Sequence, residues 1–133
     1  VEENTADDVD VVLVAARDAM ANAHVPMGGV KMGAALLSKD GAIFTGCNVE
    51  SAELGASIPA SAAALARAVV DGATTFERLV VVTNAGAPRF PGGPARQLLF
   101  QFAPDLLVIA ETEAGDRMMS DLSALLPHGV RGG

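Results

Sequence analysis

Hydrophobic and polar positions change rhythm several times along this chain, and each change predicts an element. After a loose acidic start over residues 1–6, Asp7 or Asp8 is placed to cap a helix running to about His24, with Val11, Val12, Val14, Ala15, Met20 and Ala21 as its apolar side. Pro26, Gly28 and Gly29 break that helix. Lys31 to Ser38 reads as a strand, Lys39-Asp40-Gly41 as a tight turn, and Ala42 to Cys47 as the returning strand. A second helix starts at Pro59, is sustained by the alanine-rich run 62–66, and ends near Asp71, before Gly72. Leu79 to Thr83 is a short β-branched strand, Pro94 opens a helix through Phe102, and Leu106 to Ala110 is a buried strand. Beyond Gly115, Arg117 to Met119 reads as a short edge strand, and Ser120-Asp121 caps a last helical turn to Leu126.

The order α-β-β-α-β-α-β-β-α predicts an α/β domain in which helices cover a mixed five-stranded sheet. No internal repeat or linker divides the chain, so residues 1–133 are expected to form one domain. Half of the residues are hydrophobic, which is enough for a proper core. A formal charge of −7 argues against nucleic acid as a partner, because phosphate backbones call for a basic surface. No apolar stretch is long enough for a membrane span, and no secretion signal is read at the start, so the expected compartment is the cytoplasm. Cys47 is the single cysteine, which excludes an internal disulfide and a multi-cysteine metal site.

Candidate chemistry collects in two segments. One is Gly46-Cys47-Asn48-Val49-Glu50 leading into Gly55-Ala56-Ser57-Ile58-Pro59-Ala60-Ser61; the other is Pro91-Gly92-Gly93-Pro94-Ala95-Arg96-Gln97. Asn48 and Glu50 stand two apart at a strand end and so point to the same side, where an amide and a carboxylate suit a diol. Both segments resemble the small cytidine deaminase family, in which the first reads roughly GCNVENASYGLTICAER and the second PCGACRQ. The likeness extends to residues 24–36, similar to the family's YAPYSNFPVGAAL, and to the closing Leu125-Leu126-Pro127. It implies a three-layer α/β/α fold, a homo-oligomer of tetramer type, and ribose binding by Asn48 and Glu50.

The resemblance also marks departures. Zinc deaminases use a Cys or His, a Glu two residues later, and a P-C-x-x-C pair. The three former zinc-ligand positions carry Pro59, Gly92 and Ala95, and the catalytic Glu position carries Ser61. The arginine that accompanies the family's thiolates is Ala62, a change that removes an otherwise unpaired charge. Family aromatics align with Val30, Leu54 and Val130, and the chain has five Phe and no Tyr or Trp for stacking a base. Two helix N-termini facing a cavity without zinc would favour an anion, with Ser57, Ser61 and Arg96 as assisting groups.

These features predict a zinc-free protein with no cofactor. It would bind a nucleoside-like or small polar ligand and be repurposed for a different, metal-independent reaction in specialised metabolism. Glu50, Glu53 and Ser61 are the catalytic candidates; Asn48, Glu50, Ser57 and Arg96 are the ligand-binding ones. The alternative is a catalytically inactive homologue serving as a ligand-binding, regulatory or structural partner; an engineered or damaged deaminase is a third reading. Cys47 reads as a buried, inert thiol, His24 as a helix-end residue, and His128 as a tail residue able to enter a neighbour's pocket.

Overall fold

A computed structural model describes residues 2–131. Four helices and five strands follow in the expected order: α1 Glu2–Met20, β1 Met32–Ser38, β2 Ile43–Cys47, α2 Ala60–Val70, β3 Phe76–Thr83, α3 Gly93–Phe100, β4 Leu107–Thr112, β5 Arg117–Asp121 and α4 Leu122–Leu125. The strands form one mixed sheet in the order β2-β1-β3-β4-β5. β3 and β4 are parallel, and every other neighbouring pair is antiparallel.

The core explains the layers. Along β1, Ala34 and Leu36 join one buried cluster while Ala35 and Leu37 join the other, as strand alternation dictates. β3 does the same with Leu79 and Val81 on one side and Val80 and Val82 on the other. Strands buried on both faces read as continuous apolar runs. One face is covered by α1 through Val12, Ala16 and Met20, four residues apart. The other is covered through Ala60, Ala64, Leu65 and Ala68 of α2, Leu99 of α3 and Leu122 of α4. The arrangement is the expected three-layer α/β/α fold.

Several boundaries and faces differ from the sequence reading. Helix α1 begins at Glu2 and stops at Met20, so Asp7 and Asp8 lie within it and His24 lies beyond it. Val11 and Val14, assigned to its apolar side, are 58 % and 57 % exposed, because the sheet meets the stripe 12–16–20 instead. β3 starts three residues earlier than the apolar run, at Phe76, since Phe76 pairs with Ser38 and Arg78 with Leu107 despite the charges at 77 and 78. A short 3-10 turn, Leu54–Ala56, was not anticipated. Cys47 is half-buried at the end of β2 rather than fully enclosed.

Gly46 sets how closely α2 lies on the sheet edge. A Cβ there would lie 2.6 Å from the Ala60 carbonyl oxygen and 2.9 Å from the Ala63 carbonyl carbon. Only a glycine lets the first turns of α2 rest on β2, which brings the N-terminus of α2 beside the strand end carrying Asn48.

Candidate functional site

The segment after β2 is held in place by backbone bonds on both sides. The His24 N–H donates to the Asn48 carbonyl at 2.9 Å and the Glu50 N–H donates to the His24 carbonyl at 2.7 Å. On the opposite side, Val49 and Ile58 exchange both of their backbone bonds at 2.9 Å. His24 therefore acts as a backbone partner of residues 48–50, not as a cap of α1.

Within this frame each side chain has a definite task. The Asn48 carboxamide accepts the Met32 N–H and donates to the Val30 carbonyl, both at 2.8 Å. It thus locks the chain entering β1, leaving one N–H and one lone pair for a ligand. Glu50 accepts the Met27 N–H at 2.7 Å, and its carboxylate fills the space where a Cβ of Gly29 would stand. The Ser57 hydroxyl accepts the Ser51 N–H at 2.9 Å, closing the loop that precedes α2.

Asn48, Glu50, Ser57 and Pro59 line one open cavity of about 330 Å³, together with Val30, Met32, Leu54, Ile58 and Arg89. The structure thus brings together six of the residues singled out in sequence: Asn48, Glu50, Ser57 and Pro59, with Val30 and Leu54. Glu53, Ser61, Gly92, Ala95 and Arg96 are not part of this lining. Glu53 is exposed ahead of the 3-10 turn, and its N–H is held by the Ser51 hydroxyl. Ser61 is 2 % exposed within the first turn of α2. The Arg96 guanidinium donates to the carbonyls of Pro91 and Leu125, tying the loop before α3 to α4. Arg89, in the loop between β3 and α3, was not singled out in sequence, because a lone arginine between prolines follows no motif spacing.

The three residues read from the sequence as former zinc-ligand positions sit at two helix starts. Pro59 is the N-cap of α2, Gly92 is the N-cap of α3, and Ala95 is buried in the first turn of α3. Neither N-cap has a side-chain hydrogen bond. A pyrrolidine ring, a hydrogen and a methyl group supply no donor atom for a metal, so these residues do not fit a zinc ion. Among the described residues no group of three His, Cys, Asp or Glu side chains is placed to hold one.

Comparison with known proteins agrees with the fold and corrects the functional expectation. A family described as the cytidine and deoxycytidylate deaminase zinc-binding region matches residues 1–87. A protein of Sporosarcina psychrophila named cytidine deaminase is 33% identical over 121 residues, covering 90% of this chain and 89% of its own. The crystal structure of cytidine deaminase from Burkholderia pseudomallei superposes with a TM-score of 0.86 at 33% identity, covering 91% of this chain and 98% of that one. That of cytidine deaminase from Mycobacterium tuberculosis gives 0.79 at 30% identity, covering 92% and 96%. The expectation of a zinc-free protein repurposed for a different reaction, or of an inactive homologue, is overturned by these findings. Likeness spread over nine-tenths of the chain links it to proteins named cytidine deaminase. The chain belongs to the cytidine deaminase family.

Proposed function

We propose that the cleft at Asn48 and Glu50 takes a cytidine-type nucleoside, and that cytidine deamination is the reaction to assign to this chain first. The observation that carries the reading is the amide–carboxylate pair at the end of β2, fixed by Met32, Val30 and Met27 before any ligand arrives. A sugar diol needs one acceptor of full charge and one group able both to donate and to accept, and such a pair supplies both. Pre-formed geometry spares the ligand the ordering cost of the loop.

The chain's own residues bind and orient in this reading. By the flanking motifs we place Pro59, Gly92 and Ala95 at the family's ligand positions and Ser61 at that of its catalytic carboxylate. Binding and turnover are therefore separate questions, and the test measures both. Cytidine is titrated against the purified protein, and uridine formation is followed with zinc content determined on the same sample. Cytidine binding that is lost in Glu50→Gln, with uridine appearing above the buffer rate, supports the reading; no binding and no turnover overturns it. Leu54, 82 % exposed, and Ile58, 46 % exposed, at the cleft mouth support covering by a neighbouring subunit in a homotetramer. No helix among the described residues is long and apolar enough to cross a membrane.

A further inference from the structure

The cleft holds one charged group that a neutral nucleoside does not use. Arg89 lines the same cavity as Asn48, Glu50 and Ser57. It lies between Pro88 and Pro91, in the stretch that leaves β3 at Thr83 and enters α3 at Gly93. Among the described residues no side chain pairs with its guanidinium. Other arginines are committed to the protein: Arg17 and Arg117 to Glu111, Arg67 to Thr45, and Arg96 to two backbone carbonyls. Glu50, the acidic residue of the cavity lining, accepts the Met27 N–H.

Charge indicates what such an arginine can select. The whole chain carries −7, so an anionic ligand approaches against its field, and a local cation is what would hold it. A guanidinium presents a planar fork of N–H donors that matches two oxygens of a phosphate. Being exposed, Arg89 keeps its charge hydrated until a ligand arrives, so the position carries no desolvation cost in the free protein. The cavity volume of about 330 Å³ lies at the lower end of the range of roughly 300–1,000 Å³ for small-molecule sites.

We propose that Arg89 is a specificity residue that receives the 5′-phosphate of a nucleoside monophosphate, while Asn48 and Glu50 hold the sugar. The preferred ligand is then a cytidine-type monophosphate and not the free nucleoside. This inference rests on the nucleoside reading given above and adds the charged end of the ligand to it.

Calorimetric titration of the full chain with cytidine and with cytidine 5′-monophosphate tests it, in the wild type, Arg89→Ala, Arg89→Lys and Glu50→Gln. The expected result is that the monophosphate binds about 10–100-fold more tightly than cytidine, the range of a charge-assisted contact. Arg89→Ala is expected to bring that ratio close to one, and Arg89→Lys to leave part of it, because an ammonium lacks the fork. Raising the salt concentration should shrink the ratio in the wild type and leave it unchanged in Arg89→Ala. Glu50→Gln should weaken both ligands. If cytidine binds and the monophosphate binds no more tightly, the assignment of Arg89 falls while the nucleoside reading stands. A monophosphate preference that survives Arg89→Ala also overturns the assignment. If neither ligand binds, both readings are overturned.

Discussion

Glu50 and Met27 are joined by a hydrogen bond of 2.7 Å from the backbone of one to the carboxylate of the other. The bond ties the turn after α1 to the strand end that carries the candidate site. It also explains why residue 29 is a glycine, since the Glu50 carboxylate occupies the space of a Cβ there. Gly29→Ala should push the far end of a flexible side chain aside and leave the core alone. The expected result is a loss of less than about 1 kcal/mol in a urea melt, with ligand affinity falling at least as far as in Glu50→Gln. A large loss of stability with unchanged affinity would show that the carboxylate is not part of the site.

Asn48 has a structural duty beside any role in binding. Its side chain closes two bonds to the backbone of Val30 and Met32, and Asn48→Ala strands both partners in a part-buried place. The expected cost is about 1–3 kcal/mol, read as a shift in the denaturation midpoint. Asn48→Asp keeps the acceptor for Met32 but turns a second acceptor oxygen on the Val30 carbonyl, so it should cost at least as much as losing that one bond.

Glu111 tests how charge is arranged away from the cleft. Its side chain is 4% exposed and is held by Arg17 at 3.1 Å and by Arg117 at 2.7 Å, whose own side chains are 44% and 37% exposed. Arg17→Ala leaves the second arginine in place and should cost under about 1 kcal/mol. Removing both arginines strands a buried carboxylate and should cost more than Glu111→Ala, which leaves two arginines free to turn to water. Equal costs for the two variants in thermal melts would mean that the carboxylate finds water on its own.

The hairpin turn predicts an acid-sensitive feature. Asp40 accepts the Ser38 hydroxyl and the Ala42 N–H, and these bonds hold its carboxyl below the ordinary carboxylate range. A group whose folded pKa is depressed stabilises the fold above its unfolded value of about 3.9, and this contribution is lost as pH falls through the folded value. Asp40→Asn should therefore lose this contribution at pH 7, where it is fully present, and flatten the decline in stability below about pH 4, so that the two melts converge in acid.

Much of the fold was legible because strands buried on both faces announce themselves as runs such as Ala34-Ala35-Leu36-Leu37 and Leu79-Val80-Val81-Val82. Charged strand ends were not, since Arg78 is drawn into β3 by pairing with Leu37 and Leu107, and Phe76 by pairing with Ser38, and not by the preference of the residues at 77 and 78. In α1 the sequence offers several apolar residues, and only docking on the sheet chooses Val12, Ala16 and Met20 over Val11 and Val14. Asn48 and Glu50 were legible from their spacing and the motif around them. Arg89 was not, because its place in the cleft depends on the path of a loop. The Arg17–Glu111 pair spans 94 positions, a separation at which no local pattern operates.

The walls of the cleft come from Val30 and Met32, from Asn48 to Pro59, and from Arg89, three stretches that meet only through the sheet. β1 must pair with β2 to place Asn48 against Met32, and with β3 to carry the loop of Arg89 to the same end. No fragment of the chain can therefore form the cleft by itself, and it exists only after the non-local pairing that makes folding slow. A ligand seated there would link all three stretches at once, so its binding should slow amide exchange in the central strands as well as in the loops that touch it.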